Sequence, residues 1–377
     1  MKVFDIAIFG GGLSGSSTAL NLSKKGYSVV VIEKQQKRDL VSCAGGMAAS
    51  MADFISTDIT SVIETKVKSV HFTWKSSDKV IADIPGGSSF WVVRREKLDQ
   101  LLLEEALKYG TTIIRSSEVI SLNKSGEIWN SVCSDETIIH SKFLVIADGS
   151  ESKWASYLNL GPKKPKYAKT LAIRLEGLGN ISKDSVRFDF GSIKYGFAWA
   201  FPLKDSVNIG LGTFIGNHDL SNYELNKGII DGFGFIDSKY KPMHKKLRIW
   251  SGIYKLNHEN ALVVGDAASL CDPFLAEGIR PALMSSFYAA ECIDKCLLSN
   301  TSNLDEYSLA MTNNWGKSMA WGKRIANVFY RFPKTGYKLG VKRKTAPQRI
   351  AQILSGEMNY SDIAKRVIKR LIFKSQS

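Results

Sequence analysis

No stretch of the 377-residue chain approaches the roughly 20 consecutive apolar residues that a bilayer-spanning helix needs, so no transmembrane segment is expected. Cysteine is scarce and scattered: five residues, no Cys-x-x-Cys pair, hence a reducing cytoplasm rather than a disulfide framework. Cys292 and Cys296 share one helical face, but no second ligand pair accompanies them, and no metal site is expected. The five histidines are isolated from one another and from any nucleophile, which argues against a triad. Repeats and low-complexity tracts are missing. The first apolar strand begins within a few residues of Met1, so no signal peptide is expected. Acid is in short supply, with 36 Asp and Glu against 51 Lys and Arg. The excess is uneven. From Arg331 to Ser377 there are twelve Lys and Arg against Glu357 and Asp362. No nucleic-acid recognition fold accompanies that charge, so nucleic acid is not an expected partner.

What is present begins at Asp5. Ile6-Ala7-Ile8-Phe9 reads as a buried strand, and Gly10-Gly11-Gly12-Leu13-Ser14-Gly15 fits G-x-G-x-x-G where that strand turns into a helix. Gly10 permits the tight turn, Gly12 lets backbone approach a pyrophosphate, and Gly15 lets the helix from Ser16 to Lys25 pack closely on the sheet. The helix N-terminus then faces the phosphates, with Ser14 among them. A second strand, Ser28 to Ile32, ends at Glu33, where a carboxylate can take the hydroxyls of an adenosine ribose. This is a dinucleotide site. Two later strands also end in turns, at Asp148-Gly149 and at Gly265-Asp266, and an NAD domain would not need a contact 250 residues after its first strand.

That order resembles the flavoprotein superfamily that includes the aromatic hydroxylases, which makes FAD the expected cofactor. Within it the sequence resembles the geranylgeranyl reductase family. Phe197-Ala198-Trp199-Ala200-Phe201-Pro202 with the later Gly210-Leu211-Gly212 matches that family's aromatic-x-Trp-x-Phe-Pro and Gly-x-Gly pattern. Cys43-Ala44-Gly45-Gly46 is similar to its cysteine and glycine-rich loop beside the flavin, and Asp272 to Ile279 is similar to its D-P-x-x-x-E-G-I stretch. Two departures stand out: Ala44 replaces a common glycine, and Arg280 follows the Gly-Ile pair where a small residue is commoner. The resemblance implies flavin contacts from Cys43, Ala44, Gly46 and Arg95, an adenine contact from Val119 and a ribityl contact from Asp266. It also implies that the Gly278 and Ile279 N–H groups meet the pyrimidine edge.

The expected fold is α/β, with a Rossmann-like discontinuous FAD-binding domain (1–66, 91–160, 253–300). An antiparallel-sheet substrate domain (67–90, 161–252) and a small basic helical region (301–377) complete it. The expected reaction is saturation of double bonds in a geranylgeranyl-type chain on a lipid or pigment. Such an alkene has no carbonyl to polarise it, so hydride arriving at one carbon requires a proton at the other, and positive charge develops at the tertiary centre. Aromatic faces stabilise such a cation by roughly 0.5 to 2 kcal/mol each in a dry site. Phe197, Trp199 and Phe201 alternate with period 2, so they share one strand face and, with Pro202, form the expected substrate wall. Trp199 is assigned a catalytic role, and Cys43 and Tyr195 are the candidate proton donors. Two other readings stay open: a flavin monooxygenase or halogenase, and a membrane-surface flavoprotein that reduces no alkene. No second nucleotide fingerprint names the electron donor, leaving NADPH or a ferredoxin-like protein. Finally, Ile363, Val367, Ile368, Leu371 and Ile372 alternate with Lys365, Arg366, Lys369 and Arg370 in a helix that either lies on an anionic membrane or docks on the core. The expected location is cytoplasmic, peripheral at the membrane.

Overall fold

The computed structural model describes residues 2–36, 42–87, 89–215, 220, 227–235 and 242–366. The chain opens with β1 (Val3–Phe9), α1 (Leu13–Lys24) and β2 (Val29–Glu33), and β1 and β2 pair in parallel from Ile6 with Val29 to Phe9 with Ile32. The strands Thr112–Arg115, Ile138–Ile146 and Ala261–Val263 extend this parallel array on either side. Parallel strands covered on both faces need continuous apolar runs. Ile6 to Ile8 and Val29 to Val31 are accordingly sealed from solvent. The long helices Arg95–Lys108 and Ile279–Leu298 pack against α1, which carries the glycine turn at its N-terminus.

A second sheet of seven strands has the aromatic strand Gly196–Pro202 near its middle, between Ser206–Thr213 and Ser185–Phe190. It is not wholly antiparallel as expected. Ser185–Phe190 runs parallel to Ser69–Trp74 (Phe188 opposite Phe72), because more than a hundred residues separate the two strands and no hairpin constrains their direction. The sheet divides two cores. Phe197, Trp199 and Phe201 join the main core, whereas Ala198 and Ala200 face a separate cluster with Ile209, Leu211 and Phe233. Period-2 alternation therefore does what the sequence predicted. A third, three-stranded sheet joins Gly46–Ala48 and Ile63–Val67 to Phe90–Val93.

The C-terminal part is helical, with Lys317–Arg331, Pro333–Gly340 and Ala346–Leu354 broken where the prolines predict, followed by a helical turn at 360–366. Of the basic stretch from Asp362 to Lys374, Ile363 is partly buried against the core and Lys365 and Arg366 are exposed; Val367 onward lies outside the described residues.

Candidate active site

A cavity of about 390 Å³ runs from the glycine turn to the aromatic strand. At one end, Gly10 adopts φ 99°, and a Cβ there would sit 2.5 Å from the Ala147 carbonyl oxygen. A Cβ on Gly15 would lie 1.9 Å from the Gly10 oxygen, so Gly15 serves the packing of helix on turn, as predicted, and does not itself line the cavity. Gly12 caps α1 with no side chain bonded to the helix N–H groups, leaving that positive end open to an anion. Glu33 is 4% exposed, and its carboxylate accepts the Gly11 N–H at 2.8 Å and the Gln35 N–H at 2.9 Å. The acid that ends β2 is thus fastened to the glycine turn.

Three further turns close on the same cavity. Asp148, from the Asp-Gly turn, lines it, and burial raises its carboxyl pKa although Ser152 opposes the rise. Asp266 lines it with its carboxylate 3.4 Å from the Lys245 Nζ, and Gly278 and Ile279 complete the rim at the start of helix Ile279–Leu298. Arg248, which sequence reasoning passed over, ties two of these turns together. Its guanidinium donates to the Ser150 carbonyl at 2.7 Å and the Ser152 carbonyl at 2.5 Å on one side, and to the Ala267 carbonyl at 3.1 Å on the other. An open helix N-terminus, a glycine cradle that a Cβ would fill and the Asp266 carboxylate on the rim form a donor and acceptor set that fits a flavin adenine dinucleotide.

The other end is apolar. Phe197, Trp199 and Phe201 line it together with Phe90 and Phe188, whose rings meet edge-on: Phe188 lies 5.4 Å from Phe197 and 5.5 Å from Phe201, and Phe90 lies 6.3 Å from Phe201. Gly210 opposes Trp199 because a Cβ there would come within 2.2 Å of the indole. The Trp199 Nε1–H donates to Asn208 Oδ1 at 2.9 Å, and the Asn208 amide donates to the Cys43 carbonyl at 3.2 Å. One asparagine thereby locks the indole to the cysteine loop. Arg95 comes to 3.6 Å from the Cys43 sulfur and bonds Asp99 at 3.1 Å. Burial opposes its charge, but Asp99 and Cys43 outweigh that and raise the guanidinium pKa.

The placements of the predicted residues divide cleanly. Gly10, Gly12, Ser14, Glu33, Cys43, Ala44, Gly46, Arg95, Val119, Asp266, Gly278 and Ile279 line one cavity with the three aromatics. Pro202 does not; it ends the strand, buried beyond the wall. Tyr195 does not either. Its φ of 58° lies outside the strand region, so the alternation that carries Phe197, Trp199 and Phe201 stops before it, and its ring stacks under Lys194 instead.

At the rim, the Asp272 carboxylate accepts the N–H groups of Phe274 at 2.6 Å and Leu275 at 3.1 Å, and the Tyr360 hydroxyl at 2.6 Å. Glu277 lines the cavity, and burial lifts its carboxyl to about 7 although Arg280 Nε, 3.0 Å away, opposes the rise. The unusual Arg280 also acquires a purpose: its Nη2 donates to the Ile353 and Leu354 carbonyls at 2.8 and 3.2 Å, binding the loop at the cavity rim to a C-terminal helix. A small residue could not reach.

Residues 3–173 match the family model for the FAD binding domain. A digeranylgeranylglycerophospholipid reductase from Methanocaldococcus jannaschii is 26% identical over all of this chain and 96% of its own length, and one from Picrophilus torridus is 28% identical over 97% and 95%. Among solved structures, a geranylgeranyl bacteriochlorophyll reductase-like protein from Thermoplasma acidophilum superposes with a TM-score of 0.77 at 22% identity, covering 94% of this chain and 92% of that one. A flavin-dependent brominase reaches 0.73 at 17% identity, covering 99% and 100%, so the fold alone spans several chemistries. Sequence relatives and fold agree: the chain carries the FAD binding domain over residues 3–173 and is similar along its length to FAD-dependent reductases of geranylgeranyl-type chains.

Proposed function

We propose that this protein is an FAD-dependent reductase that saturates carbon–carbon double bonds in a geranylgeranyl-type chain carried on a glycerophospholipid. The observation that carries the reading is the shared cavity, in which the dinucleotide cradle and a five-ring aromatic wall meet with no partition. The curated relatives named digeranylgeranylglycerophospholipid reductase support a lipid-linked chain as substrate. Reduced FAD, when bound, supplies the hydride for one alkene carbon. The residues of the chain do the rest. Gly10, Gly12, Ser14 and Glu33 hold the dinucleotide, with Val119 beside the adenine. Asp148, Asp266, Gly278 and Ile279 orient its flavin end. Phe90, Phe188, Phe197, Trp199 and Phe201 exclude water and present ring faces to the tertiary carbon on which positive charge develops, each contributing roughly 0.5 to 2 kcal/mol. Cys43, held between Asn208 and Arg95, carries the proton to the other carbon. Electrons reach the flavin from NADPH or a ferredoxin-like protein, and the substrate is met at the membrane surface.

The test is anaerobic incubation of purified, reduced protein with prenylated phospholipid, followed by mass analysis. Products heavier by two hydrogens per reduced bond support the reading. A gain of oxygen or halogen moves the protein to a different chemistry, and an unchanged lipid with flavin still reduced refutes alkene reduction. Running the same assay with NADPH and then with reduced ferredoxin in place of a chemical reductant identifies the donor.

A further inference from the structure

Between Tyr307 and Gly356 the sequence holds ten Lys and Arg and not one Asp or Glu. The helices Lys317–Arg331 and Pro333–Gly340 meet within that span, at a corner made by Phe332. Their inner faces are filled: Phe329 packs 5.1 Å from Phe190 and 5.2 Å from Phe274, and Gly336 and Gly340 lie against the Phe329 ring. Their outer faces carry an unusual load. Val328 is 66% exposed, Phe332 65% and Leu339 52%, and Phe332 closes one helical turn on Val328 through its N–H at 3.1 Å. Single exposed apolar side chains need no explanation, but an aromatic ring at a corner flanked by two aliphatics is a wedge.

In the same stretch Arg331, Lys334, Lys338, Arg343 and Lys344 are all exposed. Of the cations from Arg331 to Lys344, only Lys342 has an ion pair among the described residues, to Asp78 at 2.8 Å. Exposed apolar side chains at a helix corner suit insertion between lipid headgroups, and exposed cations in the same stretch without an ion pair among the described residues suit an anionic surface. We propose that this corner docks the protein on an anionic lipid bilayer, with Phe332 and Val328 entering the interface and Arg331, Lys334 and Lys338 on the headgroups. The proposed docking surface rests on residues 328 to 344 and uses nothing beyond Arg366. It also lies close to the chemistry: Phe190, against Phe329 on the inner face, touches Phe197 of the cavity wall at 5.8 Å. Docking there sets the membrane two rings, Phe329 and Phe190, from the aromatic wall.

The test uses full-length, flavin-loaded protein and sedimentation with vesicles, read without turnover, so it stands or falls apart from the reductase reading. Vesicles containing phosphatidylglycerol should capture the protein at low salt, and pure phosphatidylcholine vesicles should not. The triple change Arg331→Glu, Lys334→Glu, Lys338→Glu should weaken capture on the order of a hundredfold, since each lost cation costs about fivefold, while flavin content and monomer size stay as in the parent. Phe332→Ser should weaken it about tenfold at a position too exposed to unfold the protein. Failure of the full-length protein to bind anionic vesicles overturns the proposal, as does undiminished binding by both variants. So does a parent that is a dimer and becomes monomeric on Phe332→Ser, which would make the wedge a contact between copies, or a parent that prefers an acidic protein over vesicles.

Discussion

The two ends of the cavity are built by different means. The cradle is made of backbone: a glycine turn, a helix N-terminus and loop N–H groups, positioned by parallel strands and reinforced by Glu33 and Arg248. The wall is made of side chains from strands that lie far apart in sequence, with Phe188 facing Trp199 only through strand pairing and Phe90 coming from another sheet. A backbone site tolerates little change because its atoms cannot be replaced by another side chain. A side-chain wall can be redrawn one ring at a time without disturbing the cradle, which is consistent with one fold serving both a reductase-like protein and a brominase.

The largest effect should come from attacking the cradle. Glu33→Lys removes two hydrogen bonds to backbone N–H groups, each worth about 1.5 to 3 kcal/mol when the acceptor is charged, and puts a cation at a buried site. FAD affinity should fall at least a hundredfold by flavin titration; parental affinity would mean the acid is ornamental to the site. Trp199→Ala should leave flavin binding intact but slow anaerobic reoxidation by a prenyl substrate on the order of tenfold, at about 3 kcal/mol of stability. Loss of flavin from this variant would show that cradle and wall are not separable, and unchanged reoxidation would return Trp199 to the core.

The smallest effect lies where the two ends join. Glu277 has its carboxyl raised from 4.5 to about 7, so the folded protein binds a proton there that the unfolded chain has released. Its contribution to stability is fully present below about pH 4.5 and is lost as pH rises through 7. The groups that face it are Arg280, Asp272, Tyr360 and Cys271. Glu277→Gln should therefore flatten the fall in melting temperature from about pH 5 to about pH 8; a profile parallel to the parent's would assign the slope to Asp272 instead.

The same contrast governs what could be read in advance. The cradle residues sit in short motifs, and Glu33, Val119, Asp266, Gly278 and Ile279 all reach the cavity. Phe197, Trp199 and Phe201 were legible because strand periodicity is local. Phe188, Phe90, Asn208 and Arg248 were not, since each arrives through a pairing or a side-chain reach that no single segment encodes. Tyr195 shows the limit of periodicity: one residue with positive φ ended the pattern. Arg280 stood out in the sequence as an oddity, but its reason lies seventy residues on, at the carbonyls of Ile353 and Leu354.

That tie and the bond from Tyr360 to Asp272 bear on how the protein is made. The glycine turn and its acid lie within the first 33 residues, yet Gly10 closes on Ala147 and the loop at the cavity rim is fastened by residues 353 to 360. The cavity is therefore complete only when nearly all of the chain has been synthesised. A chain truncated before Tyr360 should therefore retain less flavin than the full-length protein, a difference read from its colour.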